Sequence, residues 1–286
     1  MQGKTVVITG ATSGIGEVAA FELAKMGARI VIVARNPLRA EKTLARLKLV
    51  VPSAPRSVHI ADLSTLAGMK KAAAEVAAEA PAIDVLINNA GAMYSERVET
   101  EDGLERTFAV NHMAYYVLTC LLIDNLKAAD RARIVCTASM AHVGMKLNFD
   151  NLQSKKGFSG YTVYGRSKLC NILFTRELAR RLHGTGITAN CLHPGFVATR
   201  FADSAGGILH AGFGVAKKMA GITPEEGAKT IVYLASSPKV EGKTGLYFVK
   251  CMPATPSPEA LNDETAKKLW EVSAAISGVD LPPARN

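Results

Sequence analysis

The feature that most restricts the fold is an alternation of short β-branched runs with longer helical patterns. The first run, at residues 4–9 (KTVVIT), is followed by a glycine-rich turn and a helical pattern at 17–28. Strands that alternate with helices pack as a parallel sheet covered on both faces. The sequence therefore predicts an α/β fold in which one domain spans residues 1–286, with a doubly wound parallel sheet of about seven strands. The other predicted strands are 29–34, 58–61, 83–87, 133–137, 186–192 and 245–250, and the predicted helices include 37–50, 64–80 and 224–236.

The turn after the first predicted strand has the composition of a phosphate-binding loop. Gly10, Gly14 and Gly16 allow the backbone to approach a pyrophosphate closely, and the N-terminus of the next helix favours an anion. The spacing is G-x-x-x-G-x-G rather than G-x-G-x-x-G. Because it stands between a strand and a helix, the turn predicts a dinucleotide site in a Rossmann fold, with residues 1–100 supplying most of the cofactor contacts.

The residue after the second strand bears on the choice of cofactor. A carboxylate there would hydrogen-bond the ribose hydroxyls of NAD, but none stands at 33–36, and Arg35 is present instead. A guanidinium suits the additional 2′-phosphate of NADP. The sequence therefore favours NADP(H) over NAD(H), with Arg39 as a second contact. The alternative is an ordinary surface arginine.

Polar or small residues follow three later strands. Asp62 either holds an adenine amino group or caps the next helix. Residues 88–91 (NNAG) suit the floor of a cofactor crevice, and Ser139 lies just past the fifth strand, where ligands bind open parallel sheets. Asn111 interrupts a helical pattern over 104–126, where it either marks a kink or lies on a polar face.

A long helical pattern that runs to about Arg181 carries Tyr164 and Lys168 near its start. Residues four apart share one face of a helix. An ammonium beside a phenol favours the phenolate and lowers the tyrosine pKa from its usual value of about 10. A phenol tuned in this way exchanges a proton near neutral pH, as a general acid/base requires. Taken alone, the Tyr-x-x-x-Lys pattern is also typical of the wetter side of an amphipathic helix.

Taken in order, the glycine-rich turn, the NNAG segment, Asn111, Ser139, Tyr164, Lys168 and His193-Pro194-Gly195 resemble the short-chain dehydrogenase/reductase family over almost the whole chain. The segments LNFDNLQSKKGFSG, SKLCNILFTRELARRLHGTGIT and SPEALNDETAKKLWEVS are similar to the branch of retinol dehydrogenases and protochlorophyllide reductase. The usual NADP preference of that branch agrees with Arg35. The membrane-bound retinol dehydrogenases carry an apolar N-terminal anchor that has no counterpart in this sequence.

The resemblance implies reversible hydride transfer between NADP(H) and a carbonyl/alcohol pair. It implies that Tyr164 exchanges a proton with the substrate oxygen while Ser139 hydrogen-bonds that oxygen. It also implies that Lys168 lowers the Tyr164 pKa and holds the nicotinamide ribose, and that Asn111 anchors a water that links Lys168 to solvent. The implied cofactor contacts are Gly10, Ser13, Gly14, Ile15 and Gly16 on the pyrophosphate, Arg35 on the 2′-phosphate, Asp62 and Leu63 on the adenine, Asn89, Ala90 and Gly91 at the ribose region, Pro194, Gly195, Val197 and Thr199 at the nicotinamide amide, and also Tyr164 and Lys168.

The substrate pocket is expected to be apolar. Met and Phe side chains adapt to irregular apolar ligands, which favours a lipophilic aldehyde, ketone or alcohol. Residues 200–222 form either a mobile lid or a surface helix pair, and residues 252–286 form a C-terminal extension with an amphipathic helix around Trp270. The expected lining residues are Met93, Met140, His142, Met145, Tyr161 and Phe196, with packing as the alternative role of His142 and Tyr161.

Two other functions use the same motifs. A carbon–carbon double-bond reductase of the protochlorophyllide type would use the same Tyr and Lys as its proton source. A non-catalytic NADP sensor would keep the fold without needing Ser139, Tyr164 and Lys168 together. The resemblance further implies a homodimer or homotetramer that pairs through the helices around 104–126 and 164–182.

Composition limits the partners and the compartment. The net charge of +9 comes from 34 basic and 25 acidic residues spread along the chain, so no basic patch predicts nucleic-acid binding. The five cysteines include no C-x-x-C, and the histidines show no ligand spacing, which predicts reduced thiols and no metal site. No apolar run reaches the ~18 residues that span a bilayer. We therefore expect a cytoplasmic protein without a transmembrane segment or signal peptide.

Overall fold

A computed structural model describes residues 1–196 and 222–281, whose strands form one eight-stranded sheet. The strands are β1 (Thr5–Thr9), β2 (Arg29–Ala34), β3 (Arg56–Ile60), β4 (Val85–Asn88), β5 (Arg133–Thr137), β6 (Thr188–His193), β7 (Tyr247–Val249) and β8 (Met252–Ala254). Their order is β3-β2-β1-β4-β5-β6-β7-β8, and every neighbouring pair is parallel except β7 and β8. The predicted α/β class and doubly wound parallel sheet are confirmed.

Helices cover both faces of the sheet. They are α1 (Gly14–Lys25), α2 (Pro37–Val50), α3 (Leu66–Glu79), α4 (Ala114–Leu121), α5 (Ile123–Lys127), α6 (Gly160–Arg181), α7 (Pro224–Ser236) and α8 (Asp263–Ser277). Alternate side chains of a strand point to opposite faces. Val6 and Ile8 of β1 therefore pack with α1, α2 and α7, whereas Val7 packs in the core shared by α3, α4, α6 and α8.

Capping residues explain why two helices begin where the sequence predicts. The Asn36 side chain accepts a hydrogen bond from the Arg39 amide at 3.0 Å, and the Thr223 side chain accepts one from the Glu226 amide at 3.2 Å. Each cap is followed by a proline, whose missing N–H costs nothing in the first turn of a helix. The predicted helices at 37–50 and 224–236 are confirmed.

The helix predicted over 104–126 is interrupted at Asn111. A helical turn at Arg106–Phe108 leads into a π-helical stretch at Ala109–Met113, which then continues as α4. The side chain of Asn111 is fully buried, so its alternative place on a polar helix face is wrong. The π-helical stretch is the predicted irregularity, and such stretches are frequent at functional sites. Within the described ranges, no helix combines the length and apolar character needed to cross a membrane.

The predicted count of about seven strands missed β8 (Met252–Ala254), which begins the segment predicted as a C-terminal extension. β8 pairs antiparallel with β7 at the edge of the sheet, where Pro253 lies opposite Phe248. Proline is tolerated in edge strands because one side of the strand needs no amide donor. The two-residue turn between these strands has Lys250 at φ 49° and Cys251 at φ 63°. This is the left-handed geometry of a hairpin turn that favours Asn-Gly.

Cys251→Gly is expected to stabilise this hairpin. The left-handed conformation costs a non-glycine residue roughly 1–2 kcal/mol, whereas the extra backbone entropy of glycine costs roughly 0.5–1 kcal/mol. We therefore expect the free energy of unfolding in urea to rise by about 0.5–1 kcal/mol. Lys243→Gly, at an exposed position outside the left-handed region, should lower it. A loss of stability in Cys251→Gly would show that the turn is not strained.

The predicted amphipathic helix around Trp270 is confirmed as α8, which packs against α6. The Trp270 ring stacks on Phe174 with centroids 5.8 Å apart and meets the edge of Tyr116 at 4.9 Å. Arg181, the last residue of α6, lies over the same indole ring at 4.4 Å. The helix thus covers part of the surface through which subunit pairing is predicted, and the oligomeric state stays a prediction.

Candidate active site

A cavity of about 590 Å³ opens at the carboxyl ends of the central strands. It lies where the strand order reverses between β1 and β4, the position at which open α/β sheets bind ligands. Its volume is in the range of small-molecule and cofactor sites. The predicted residues that line it are Gly10, Ser13, Gly14, Ile15, Arg35, Asp62, Leu63, Asn89, Ala90, Gly91, Ser139, Met140, Tyr161, Tyr164, Lys168, Pro194, Gly195 and Phe196.

The glycine-rich turn has the geometry of a phosphate cradle. Gly10 and Gly14 have φ of 70° and 58°, and a Cβ on Gly10 would lie 2.8 Å from the Ala90 Cα. Ser13 immediately precedes α1, but its side chain accepts no hydrogen bond from the first amides of this helix. The residues present therefore fit a dinucleotide pyrophosphate. Gly16 does not line the cavity: a Cβ there would lie 2.6 Å from the Gly10 carbonyl oxygen, so Gly16 serves close helix–strand packing.

The floor of the cavity is tied together by Thr9 and Asn89. The Thr9 hydroxyl accepts hydrogen bonds from the Asn89 and Ala90 amides, both at 2.9 Å. The Asn89 side chain donates to the Thr9 carbonyl at 3.1 Å and accepts from the Thr137 hydroxyl at 3.3 Å. These contacts join β1, β4 and β5 at their carboxyl ends. Asn89 therefore fixes the floor with its amide group while its remaining surface faces the cavity.

Two arginines lie at the end of the cavity next to β2. Arg35 and Arg39 are exposed and line the cavity together with Asn36. Across residues 1–196 and 222–281, neither guanidinium has an ion pair or hydrogen bond with the chain. Two unpaired guanidinium groups at one end of a cavity favour a doubly charged anion such as a phosphate.

Asp62 and Leu63 line the same end of the cavity. The Asp62 carboxylate accepts a hydrogen bond from the Ser64 amide at 2.9 Å. The cap of α3 is Thr65, whose hydroxyl accepts from the Gly68 amide at 3.0 Å. The alternative role of Asp62 as the helix cap is therefore wrong.

Ser139, Tyr164 and Lys168 meet at the inner end of the cavity. Ser139 follows β5 in an extended conformation, and Tyr164 and Lys168 come from the second and third turns of α6. The Ser139 and Tyr164 hydroxyls are hydrogen-bonded. The Lys168 Nζ donates to the Thr137 carbonyl at 2.9 Å and lies 5.6 Å from the centre of the Tyr164 ring. A hydroxyl pair backed by an amine can bind and exchange a proton with one substrate oxygen.

Burial dominates the pKa values of this group. Desolvation raises the pKa of Tyr164, and the hydrogen bond from Ser139 opposes that effect without cancelling it. Desolvation also lowers the pKa of Lys168 from 10.5 to about 7. The Tyr164 pKa is therefore raised in the protein alone, opposite to the predicted lowering, because the removal of the phenol from water outweighs the hydrogen bond from Ser139.

Asn111 supports this group from behind. Its side chain exchanges two hydrogen bonds with the Ala92 backbone, at 2.8 and 3.0 Å, and donates to the Ser167 hydroxyl at 2.9 Å. Ser167 in turn donates to the Tyr164 carbonyl at 2.7 Å. Asn111 does not line the cavity. A Cβ on Gly91 would lie 3.2 Å from the Asn111 Oδ1 and 3.4 Å from the Lys168 Nζ, so glycine is what lets these groups approach.

Three residues predicted to line the substrate pocket do not do so. Met93 is fully buried, and the next residue, Tyr94, lines the cavity instead. Met145 packs against the core, where a Cβ on Gly165 would meet its side chain at 2.9 Å. His142 is 1% exposed and bonds to the backbone. Val197, Thr199 and residues 200–221 of the predicted lid lie outside the described residues.

Comparison with known proteins shows which family has a sequence similar to this chain. The sequence pattern described as "short chain dehydrogenase" matches residues 4–206. The chain belongs to the short-chain dehydrogenase family. Retinol dehydrogenase 14 of Homo sapiens is 40% identical over 299 residues, covering 98% of this chain and 88% of that protein. This chain is therefore an oxidoreductase that acts on alcohols or carbonyl compounds.

Solved structures agree with the assignment to short-chain dehydrogenases. An uncharacterised protein from Mycobacterium paratuberculosis superposes with a TM-score of 0.80 and 30% identity, covering 98% of this chain and 96% of that one. L-sorbose reductase from Gluconobacter frateurii, solved with NADPH and L-sorbose, superposes with a TM-score of 0.69 and 25% identity, covering 87% of this chain and 95% of that one.

Other lining residues of this dehydrogenase were missed by sequence reasoning. The orientation of the Tyr94 ring is fixed by Arg106, whose guanidinium lies 3.6 Å from the centre of that ring. No periodicity between β4 and the helical turn shows which side chain faces inward. His193 also lines the cavity, and it accepts a hydrogen bond from the Met140 amide at 3.3 Å. The remaining missed lining residues are Thr12, Val33, Ala34, Asn36, Ala61, Ala92, Val110, Thr137, Ala138 and Ala141.

Lys168→Met is expected to stabilise this dehydrogenase while abolishing its turnover. The unfolded chain binds the lysine proton with a pKa near 10.5 and the folded chain with a pKa of about 7. Below pH 7 both states are protonated, and the folded state carries the full cost of a buried charge. Between pH 7 and 10.5 the unfolded state binds more protons, so wild-type stability rises with pH.

The gain in melting temperature from Lys168→Met should therefore be larger at pH 6 than at pH 9.5. Thermal unfolding of both proteins at the two pH values measures it. Lys71→Met, which removes an exposed lysine from α3, serves as the control and should show no such difference. An equal gain at both pH values would mean that Lys168 is not destabilised by burial.

Proposed function

We propose that this chain transfers a hydride reversibly between NADP(H) and a lipophilic alcohol/carbonyl pair. The observation that carries the proposal is the meeting of Ser139, Tyr164 and Lys168 at one end of a cavity whose other end holds a phosphate-type glycine loop. The nicotinamide, when bound, supplies or accepts the hydride. All other steps are proton transfer, charge stabilisation and positioning by groups of the protein.

Each side chain of the group has a distinct task. Tyr164 gives its proton to the carbonyl oxygen in reduction and takes it back from the alcohol in oxidation. Ser139, already hydrogen-bonded to Tyr164, donates to the same oxygen and stabilises the charge that develops on it. Lys168 lies beside Gly91, where a ribose hydroxyl can reach its Nζ. Its pKa of about 7 allows it to take or give a proton at neutral pH.

Asn111 holds the supporting backbone of this group. Its bonds to Ala92 and Ser167 tie the irregular segment that follows β4 to α6. A water held in its π-helical stretch would complete the predicted path from Lys168 to solvent. On the cofactor side, Gly10, Ser13, Gly14 and Ile15 cradle the pyrophosphate.

The cofactor preference rests on charge at the adenosine end. Arg35 and Arg39 line that end, and β2 is followed by no carboxylate. An unpaired guanidinium binds a phosphate by two charge-assisted hydrogen bonds. Asp62 lines the same end and suits the adenine amino group as an acceptor. We therefore assign NADP(H) as the preferred cofactor and NAD(H) as the weaker one.

The substrate preference rests on the apolar mouth of the cavity. Met140, Tyr161 and Phe196 line it and are each at least 40% exposed, so their apolar surfaces can contact a ligand in the cavity. Tyr94 and Val110 extend this surface inward. The similarity to retinol dehydrogenase 14 agrees with a lipophilic alcohol or aldehyde.

Cofactor binding followed by turnover tests the proposal. NADPH and NADH are titrated separately by nicotinamide fluorescence, and a panel of long-chain and short-chain aldehydes, ketones and enones is then offered with NADPH. Tight NADPH binding and faster reduction of the long-chain carbonyls are expected. Saturation of an enone without alcohol formation would favour a carbon–carbon double-bond reductase, and binding without any turnover would favour a sensor.

A further inference from the structure

His142 joins Ser139 to a part of the chain more than a hundred residues away. Its Nδ1 lies 2.6 Å from the Ser139 carbonyl oxygen, and its Nε2 lies 3.1 Å from the Ser257 amide. A backbone amide only donates, so the Nε2 accepts, and the ring proton is on Nδ1, from which it donates to Ser139. The ring is neutral in this arrangement, and burial lowers the pKa of His142 in the same sense.

This hydrogen bond acts directly on the peptide that carries the Ser139 hydroxyl. Ser139 opens a helical turn at Met140–His142, in which its hydroxyl accepts from the Ala141 amide at 3.2 Å. Its carbonyl accepts both from the His142 amide at 3.2 Å and from the His142 ring. Fixing the carbonyl fixes the orientation of the Ser139 backbone, and with it the direction in which the hydroxyl meets Tyr164.

The other partner, Ser257, belongs to a firmly docked C-terminal segment (residues 257–281). The segment continues through a helical turn at Pro258–Leu261 into α8. Its far end is held by the Tyr116 hydroxyl, which donates to the Val279 carbonyl at 3.0 Å. Its middle is held by a buried hydrogen bond of 2.8 Å between His112, which follows Asn111, and Ser273. The segment therefore offers the His142 ring a fixed donor.

We propose that His142 is a positioning residue for Ser139 and that, through it, the C-terminal segment completes the active site. The proposal rests on the proposed function only in naming Ser139 as the group whose placement matters for turnover. Its structural content is that the neutral His142 ring holds the Ser139 turn in one orientation, with the Ser257 amide selecting the tautomer that does so.

Two amide variants separate the two bonds of the ring. The side-chain nitrogen of an asparagine occupies the place of the histidine Nδ1, so His142→Asn keeps the donor to Ser139 and loses the acceptor for Ser257. The oxygen of a glutamine occupies the place of Nε2, so His142→Gln keeps the acceptor and loses the donor. We expect kcat to fall roughly tenfold in His142→Gln, the effect of one lost hydrogen bond of upper-range strength, and less in His142→Asn. The KM for NADPH should be unchanged in both.

Hydrogen exchange gives a measurement that does not depend on turnover. The Ala141 and His142 amides, which donate to Ser139, should exchange faster in His142→Gln than in His142→Asn. Nitrogen NMR of the wild-type ring should show the neutral form protonated on Nδ1. Equal exchange in the two variants, or a ring protonated on Nε2, overturns the proposal. An inactive wild type with the expected exchange pattern would overturn only the proposed function.

Two controls exclude general destabilisation. Ser257→Ala keeps the donating amide and removes a buried hydroxyl that has no hydrogen-bond partner among residues 1–196 and 222–281, so turnover and exchange should match the wild type. Tyr116→Phe loosens the far end of the C-terminal segment and should lower the melting temperature without changing kcat. If Tyr116→Phe lowered kcat as much as His142→Gln at a similar loss of stability, the role of His142 would be merely structural and the proposal would be overturned.

Discussion

Tyr164→Phe is expected to reduce kcat by about 10²- to 10⁴-fold, the range found for loss of a positioned general acid/base. The substitution removes only the phenolic oxygen, which is hydrogen-bonded to Ser139. The ring remains, so the packing near Lys168, 5.6 Å from its centre, is retained. NADPH binding should stay within about twofold of the wild type, because the removed hydroxyl faces the substrate oxygen. Steady-state reduction of a long-chain aldehyde and a fluorescence titration measure the two quantities.

Tyr161→Phe is the matched control for that experiment. Tyr161 lies one helical turn before Tyr164 and lines the same cavity, but it has no lysine four residues on. We expect it to change KM for the substrate and to cost only a small fraction of the kcat lost in Tyr164→Phe. If both variants lost kcat to the same extent, or if Tyr164→Phe kept near-normal turnover, Tyr164 would not be the proton donor.

The pKa values of Tyr164 and Lys168 show what the spacing of residues in the sequence can predict and what it cannot. In the protein alone, burial raises the pKa of Tyr164 and lowers that of Lys168 to about 7. Sequence spacing shows that the two residues share a helix face, and it therefore predicted only their mutual attraction. The cost of removing both groups from water depends on the walls of the cavity, which come from segments distant in sequence. Local spacing thus gives the partners of a titrating group but not the balance that fixes its pKa.

The parts of the fold that the sequence predicted are those with local signals. Asn36 and Thr223 cap helices whose predicted bounds agree with the structure, because a cap acts within one turn. β8 was missed because its pairing with β7 outweighs the poor strand propensity of Pro253, and pairing is a tertiary effect. The role of His142 was missed for the same reason, since its partner Ser257 is 115 positions away.

Within the site, the residues at strand ends were predictable and those in irregular segments were not. Ser139 follows β5 directly, so the topology of a parallel sheet places it at the cavity. Met93 and Tyr94 lie in a segment without regular structure, where neither a period of two nor one of 3.6 residues applies. The sequence chose Met93 for its apolar character, but the stacking of Arg106 on Tyr94 turns the tyrosine toward the ligand and leaves the methionine in the core.

Arg35→Ala is expected to weaken NADPH binding by roughly 10- to 150-fold, which corresponds to one charged hydrogen-bond partner worth about 1.5–3 kcal/mol. NADH lacks the 2′-phosphate, so its dissociation constant should change by less than about twofold. Arg35 has no partner within the described part of the chain, so its removal leaves no buried group unsatisfied and should not lower stability. Parallel fluorescence titrations of both cofactors measure the difference.

Two neighbours on α2 make this prediction specific. Arg39→Ala removes the second cavity-lining guanidinium and should weaken NADPH binding in the same sense, whereas Lys42→Ala removes an exposed charge that does not line the cavity and should have little effect. Because these groups are exposed, the preference for NADPH should also shrink as salt is raised, since mobile ions screen exposed charges.

Equal losses in Arg35→Ala and Lys42→Ala would mean that the basic surface of α2 attracts any anion. Unchanged NADPH binding in Arg35→Ala would show that the 2′-phosphate is held elsewhere, and the assignment of NADP(H) would then have no support from this end of the cavity.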